Sequence, residues 1–182
     1  MLKNKAFNFA LTFIVLFLVF YYFNIGFFSI TSPGSSHYIP FFAEHLNYIS
    51  WLRNLLLGSA AALLNLLGFT AIRNEYRLLV AGHGTILLVY SCLGLGVMSF
   101  FTAFVIAYPK PLRRKIYFIV AGIICIQVLN ILRLAIVALY WTNKAQQIID
   151  HHFVFNSIIY LLISISLYFW VTANDKTLNA NN

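Results

Sequence analysis

Four long apolar segments divide the chain and indicate helices that cross a membrane. Residues 7–30 form the first, with 24 residues and no charge, which rise about 36 Å as a helix and exceed a hydrocarbon core of about 30 Å. Residues 92–108, 116–141 and 153–173 are apolar enough to span as well. The pattern predicts four transmembrane helices.

The first apolar segment is preceded by basic residues, as a signal peptide would be. Lys3 and Lys5 lie just before it. Its apolar part is longer than the roughly 15 residues of a signal peptide, and no small-x-small cleavage site follows. We therefore expect residues 1–36 to be an uncleaved signal anchor with its loop.

Residues 41–69 have a different pattern, in which polar or small residues recur at spacings of three and four. This spacing indicates one face of an amphipathic helix. The uninterrupted apolar part, residues 55–70, rises only about 24 Å as a helix, which is short for a crossing. We expect an amphipathic or re-entrant helix in the outer leaflet; the alternative is a fifth crossing with an external N-terminus. The polar or small positions are Asn47, Ser50, Asn54, Gly58, Ala61 and Asn65.

Residues 70–91 predict a hairpin on the external side. A charged stretch is followed by apolar residues, then by Gly82-His83-Gly84, then by a β-branched and aromatic run. Apolar β-formers on both sides of a glycine pair are typical of two strands joined by a turn.

A cluster of basic residues sets the predicted orientation. Residues 109–115 hold four Lys or Arg among seven residues, which the positive-inside rule places in the cytoplasm. Residues 92–173 then form the core helices and residues 174–182 a cytoplasmic tail. We predict one all-α integral membrane domain, residues 1–182: a bundle of four or five transmembrane helices in a multi-pass protein.

The composition agrees with a membrane protein and excludes several functions. Apolar residues make up 62% of the chain and charged residues 9%, against about 25% charged in soluble domains. The net charge of +8 comes from short clusters between apolar segments, so a nucleic-acid partner is not expected. The few carboxylates disfavour a metal cage or a carboxylate pair. They are Glu44, Glu75, Asp150 and Asp175.

Few polar residues lie within or beside the core helices, and these are the candidates for chemistry. Cys92 opens the second apolar segment, Arg133 lies inside the third, and His151 with His152 precedes the fourth. A cation favours the reactive thiolate form of a cysteine. Each also has a simpler interpretation: a packing thiol, an arginine that reaches the headgroups, or interfacial histidines. The predicted topology places all four on the outer side.

Taken in order, these residues resemble the exosortase/archaeosortase family of membrane cysteine transpeptidases. The resemblance rests on Cys92 in a Cys-Leu-Gly-Leu setting, on Asn130-Ile131-Leu132-Arg133 and on His151-His152 before the final helix, and it spans roughly residues 63–168. It implies a cysteine endopeptidase or transpeptidase that removes C-terminal sorting signals from exported proteins. It also implies a bacterial inner-membrane location. The predicted topology makes the active site face outward, and thiol chemistry assisted by Arg and His needs no cofactor or metal.

The resemblance also implies roles for individual residues. Cys92 would be the nucleophile that forms a thioester, and Arg133 would favour the thiolate or stabilise the oxyanion. One of His151 and His152 would be the general acid and base, and both remain candidates. Asn130 and Asn156 would support the site, Asn156 standing where the family usually has glycine. The alternative function is a non-catalytic membrane subunit of a secretion or polysaccharide export system.

Overall fold

Helices make up most of the computed structural model, which describes residues 2–140 and 151–173. The chain divides into two compact units, Met1–Ala145 and Gln146–Asn182, and each is described by itself. The first unit contains helices α1 to α5 and a three-stranded sheet, and the second contains helix α6. The elements are α1 (Leu2–Thr31), α2 (Pro40–His45), α3 (Tyr48–Leu66), β1 (Ala71–Arg73), β2 (Arg77–Val80), β3 (Gly84–Leu87), a 3-10 turn (Tyr90–Leu93), α4 (Leu95–Ala107), α5 (Leu112–Tyr140) and α6 (His151–Thr172).

Aromatic side chains join α1 to α4. Phe9 lies edge-to-face on Phe104 and Phe13 on Phe100, each with ring centroids 5.3 Å apart. The spacing of four residues in both helices places these rings on one face of each. Because the earlier residue of α1 contacts the later residue of α4, the two helices are antiparallel. Each such ring pair contributes about 0.5–1.5 kcal/mol beyond its burial.

Helices α4 and α5 pack closely because Gly122 leaves space for a ring. A Cβ at Gly122 would overlap Cζ of Phe101, which is almost fully buried. At the turn between the helices, Lys115 Nζ donates to the carbonyl of Ile106 over 2.6 Å. The Tyr108 ring lies 5.9 Å from that of Phe9. The start of α1 and the basic turn are therefore at the same end of the bundle, which we call the basic end.

A chain of polar side chains links three helices away from the basic end. The Tyr48 hydroxyl donates to Asn24 Oδ1 over 2.6 Å, and Asn24 Nδ2 donates to Ser99 Oγ over 3.1 Å. Ser99 Oγ in turn donates to the carbonyl of Leu95 over 2.8 Å. A buried polar group without a partner is costly, so this relay favours one arrangement of α1, α3 and α4.

The predicted hairpin is confirmed and extended by one strand. Strands β2 and β3 pair antiparallel, with Val80 opposite Gly84, across a turn in which Gly82 has a φ of +77°. Strand β1 adds to β2 with Ala71 opposite Val80. The sequence did not predict β1, since a strand of three residues with one arginine has almost no alternation to recognise.

Helix α3 packs against both the sheet and α5. Asn47 Oδ1 accepts the backbone N–H of Ser50 and caps its N-terminus. At the other end, Asn65 forms hydrogen bonds with both the N–H and the carbonyl of Ala71. The buried face of α3 consists of Ile49, Arg53, Leu56, Leu57, Ala60, Ala61 and Leu64.

The prediction of an all-α membrane protein is confirmed. The segments Ala6–Thr31, Pro40–Leu66 and Leu112–Tyr140 are long and apolar enough to cross a membrane. Helix α4, with 13 residues, and the stretch Ser157–Thr172 are shorter apolar helices. The number of crossings, the single domain and its segment boundaries stay predictions, and residues 174–182 lie outside those described.

Contacts place both ends of α3 away from the basic end. Its first residue, Tyr48, bonds to Asn24 in the second half of α1. Just beyond its last turn, the Phe69 ring lies 5.4 Å from the His83 ring, and His83 Nδ1 is 2.9 Å from the carbonyl of Leu139 near the end of α5. Both ends of α3 therefore lie away from the basic end, and the outer-leaflet position of residues 41–69 stays a prediction.

Labelling of the chain beyond α3 tests this prediction. The test uses a variant in which both native cysteines are changed to Ala. In this background Leu67→Cys should react with an impermeant maleimide in intact cells, because Leu67 is 62% exposed and lies at the end of the bundle opposite the basic end. The matched control is Leu112→Cys, 72% exposed at the basic end, which should react only after permeabilisation. Protection of Leu67→Cys in intact cells would instead favour a crossing by α3.

Candidate active site

Cys92 lies on the 3-10 turn that joins the sheet to α4, and it is 5% exposed. Its N–H donates to the carbonyl of Val89 over 3.0 Å. The sequence placed Cys92 at the start of a helix, but α4 begins at Leu95 because Gly94 has a left-handed φ of +77°. Glycine adopts this conformation without steric cost. The thiol is therefore on a turn whose direction Gly94 sets.

Two amides from α5 hold this turn in place. Gln127 Nε2 and Asn130 Nδ2 both donate to the carbonyl of Leu93, over 3.4 and 3.5 Å. Asn130 Nδ2 also donates to Gln127 Oε1 over 3.2 Å, and Gln127 Nε2 lies 3.0 Å from Met98 Sδ. Because Leu93 follows Cys92 directly, these contacts fix the thiol-bearing turn against the middle of α5.

Gln127 was not among the residues predicted from the sequence. The sequence does carry a signal for it: Gln127, Asn130 and Arg133 occur at every third position within residues 118–139 of α5, a stretch that is otherwise apolar. Residues three apart lie on one face of a helix. All three are buried, at 9%, 2% and 5% exposure.

Arg133 lies about one turn beyond Asn130 on α5. Burial of its guanidinium in an apolar bundle requires compensation from neighbouring groups. Leu134 and Ala138 of the same helix pack in one buried cluster with Cys92. The structure therefore brings Cys92, Asn130 and Arg133 onto neighbouring elements of the first unit.

Tyr90 adds no negative charge to this region. Its ring lies 4.5 Å from that of Phe28 in α1. Burial raises the pKa of the Tyr90 phenol above its ordinary value, and the nearby Tyr21 adds to this shift. The phenol therefore stays neutral at physiological pH and does not compete as an anion for a nearby cation.

The remaining predicted residues belong to the second unit. His151, His152 and Asn156 occur in the first turns of α6, and their side chains lie outside the residues described. His83, attributed to its turn from the sequence, also contacts the carbonyl of Leu139 in α5. Among the described side chains, those of residues 6–140 and 157–173, no group of three or more His, Cys, Asp or Glu could hold a metal ion.

The fold and this site define a multi-pass helical membrane protein with a buried thiol on a constrained turn and a buried arginine on the adjoining helix. The family model described as transmembrane exosortase matches residues 10–170. The chain therefore belongs to the transmembrane exosortase family. No curated protein and no solved structure matches the chain.

Gly94 provides a test of how the turn positions the thiol. A Cβ at Gly94 would lie 2.5 Å from Asn130 Nδ2, so Gly94→Ala should combine left-handed strain of about 1–2 kcal/mol with displacement of the Asn130 amide. We expect a lower unfolding temperature and a changed alkylation rate at Cys92, measured on purified protein in detergent.

Gly82→Ala is the matched control for this substitution. Gly82 has the same φ of +77°, but a Cβ added there would have nothing within 4 Å. This variant should show the strain alone, without a change in alkylation of Cys92. Equal alkylation rates in Gly94→Ala and Gly82→Ala would show that the Gly94–Asn130 approach does not position the thiol.

Proposed function

We propose that this protein is a cysteine endopeptidase or transpeptidase that processes C-terminal sorting signals of exported proteins. The observation that carries the proposal is the position of Arg133: a buried cation three residues beyond the asparagine that binds the thiol-bearing turn. A cation beside a thiol favours the thiolate and can stabilise a developing oxyanion. Membership of the exosortase family supports the same reaction class.

The proposed reaction has two steps that balance in atoms and charge. The Cys92 thiolate attacks the carbonyl carbon of the scissile peptide bond, and the resulting oxyanion is stabilised by Arg133. Collapse breaks the C–N bond, leaves a thioester on Cys92 and releases the amine, which takes a proton from a histidine. Water or an acceptor amine then attacks the thioester and regenerates the thiolate.

One of His151 and His152 is the proposed proton carrier. A histidine gives its proton to the leaving amine in the first step and accepts one from the attacking nucleophile in the second. Asn156, one helical turn after His152, is proposed to orient the ring. Asn130 is proposed as a positioning residue, because it contacts the backbone beside Cys92.

The proposed location is the bacterial inner membrane, with the site facing outward. The start of α1 and the turn before α5 lie together at the basic end, and basic ends of membrane helices stay in the cytoplasm. Cys92 is on the turn before α4, at the opposite end of that helix. Proposed partners are the bilayer and exported substrates with a sorting signal; no nucleic acid and no cofactor are invoked.

A non-catalytic role is the second candidate. The 5% exposure of Cys92 within an apolar cluster also fits a packing residue. In that case the protein would be a membrane subunit of a secretion or polysaccharide export system, with Arg133 as an anchor between helices. Thiol reactivity and substrate processing separate the two functions.

Substitution of the two central residues tests the enzymatic proposal. In cells that carry a sorting-signal substrate, Cys92→Ala should abolish processing, and Arg133→Gln should slow it by about 10²–10³-fold, as the loss of an oxyanion donor does. The measurement is the ratio of precursor to product by immunoblot. Cys125→Ala is the control, since Cys125 is a free, exposed thiol on α5. Normal processing by inserted Cys92→Ala protein would refute the proposal.

Alkylation of intact cells tests whether Cys92 is an activated, outward-facing thiol. A small impermeant methanethiosulfonate should label Cys125→Ala protein and should not label Cys92→Ala protein. Arg133→Gln should slow the reaction at Cys92 by about tenfold, because less thiolate is present without the cation. An inserted protein whose Cys92 does not react would support the packing role instead.

A further inference from the structure

A second buried arginine lies outside the candidate active site. Arg53, on α3, is 8% exposed, and its Nε has no hydrogen-bond partner within the described part of the chain. Its guanidinium lies over the Tyr76 ring, 4.5 Å from the centroid. A ring face attracts a cation but does not neutralise it. A charge buried in this way is stabilised by an anion.

Arg53 lines a cavity large enough for such an anion. The cavity has a volume of about 500 Å³ and lies where α1, α2 and α3 meet. Ser32, Tyr38 and Ser50 also line it, and within residues 2–140 and 151–173 their hydroxyls form no hydrogen bond. A guanidinium with several hydroxyl donors matches the oxygens of a phosphate group.

The position of the cavity matches the level of lipid phosphates. The apolar segment Ala6–Thr31 is long enough to cross a membrane, and Phe28 and Thr31 from its last turn line the cavity. Exposed apolar residues adjoin the lining residues in sequence: Ile39, Phe41 and Leu46 are 41%, 60% and 47% exposed. Exposed Phe and Leu side chains are typical of a short helix that lies in the interface where headgroups are found.

Glu44 on the cavity wall limits the charge of the ligand. It lines the cavity together with Arg53, and it forms no ion pair with any described residue. Its carboxylate repels a second negative charge. A phosphodiester carries one negative charge, whereas a phosphomonoester carries about 1.5 to 2 at neutral pH. The wall therefore favours a phosphodiester.

We propose that the Arg53 cavity binds the phosphodiester of a membrane phospholipid headgroup. Arg53 pairs with the phosphate, the cavity hydroxyls donate to its free oxygens, and the acyl chains lie along the exposed side chains of Ile39, Phe41 and Leu46. Because the Phe28 ring also packs against Tyr90, two residues before Cys92, a bound lipid would brace the thiol-bearing turn.

Lipid binding by the full-length protein in detergent tests the proposal. Native mass spectrometry would compare dihexanoyl phosphatidylglycerol with dihexanoylglycerol, which has the same chains without the phosphate. We expect the phospholipid to bind wild-type protein and Arg53→Gln to weaken binding by at least about tenfold, the effect of one charged hydrogen bond. Arg73→Gln is the matched control, since Arg73 is exposed and bonds to Asn54 outside the cavity.

Further arms separate the possible ligands. Equal binding of dihexanoylglycerol, or no effect of Arg53→Gln, would overturn the proposal. Displacement of the phospholipid by inorganic phosphate at equal concentration would overturn the lipid assignment in favour of free phosphate. Binding of a glutamate-containing peptide through Arg53, without lipid binding, would also overturn it.

Glu44→Gln tests the site without removing a buried group. Glu44 is exposed on a short helix, so this variant should fold even if Arg53→Gln does not. Loss of the Glu44 charge should raise the affinity for inorganic phosphate about three- to fivefold. The affinity for the phosphodiester should rise by less, because it carries less negative charge. An unchanged preference between the two would show that Glu44 does not select the ligand.

Discussion

The carbonyl of Leu93 is the point on which the geometry of the candidate active site depends. It lies between the residue that carries the thiol and the glycine that reverses the chain, and two amides of α5 donate to it. A carbonyl in an apolar interior has lost its hydrogen bonds to water, so leaving it without a partner lowers the stability of the fold. The register in which the turn and α4 pack on α5 is one that satisfies this carbonyl.

The need to pair buried polar groups also determines the packing in the rest of the first unit. Asn24, Tyr48 and Ser99 form a hydrogen-bonded relay across three helices, while Asn65 binds both backbone groups of Ala71. Apolar contacts between helices tolerate small rotations, whereas these polar pairs do not. Specificity of packing thus comes from a few polar side chains, and the aromatic rings of α1 and α4 supply contact area.

The parts of the fold that the sequence predicts are those set by local composition. The length of α1, the basic turn before α5 and the Gly82 turn follow from apolar runs, charge clusters and glycine pairs. Strand β1 and the start of α4 do not, because a three-residue strand depends on its partner and the helix start depends on the backbone angle of Gly94. Within the site, Cys92, Asn130 and Arg133 are recognisable from the sequence as rare polar residues. The contact of Gln127 with Leu93 is not, because it forms only when α5 packs against the turn before α4.

Arg53 and Arg133 show that the type of a residue in the sequence does not predict whether its side chain is buried. Both are arginines in apolar helices, yet Arg133 occurs at a polar period of three along α5, whereas Arg53 is buried by Tyr76, which is distant in sequence. A fold that buries two guanidinium groups bears a desolvation cost at each. An apolar residue of similar size could fill a purely structural role at lower cost. The two proposals assign a function to each charge: Arg133 would act on the sulfur or oxyanion of the reaction, and Arg53 would bind a lipid phosphate.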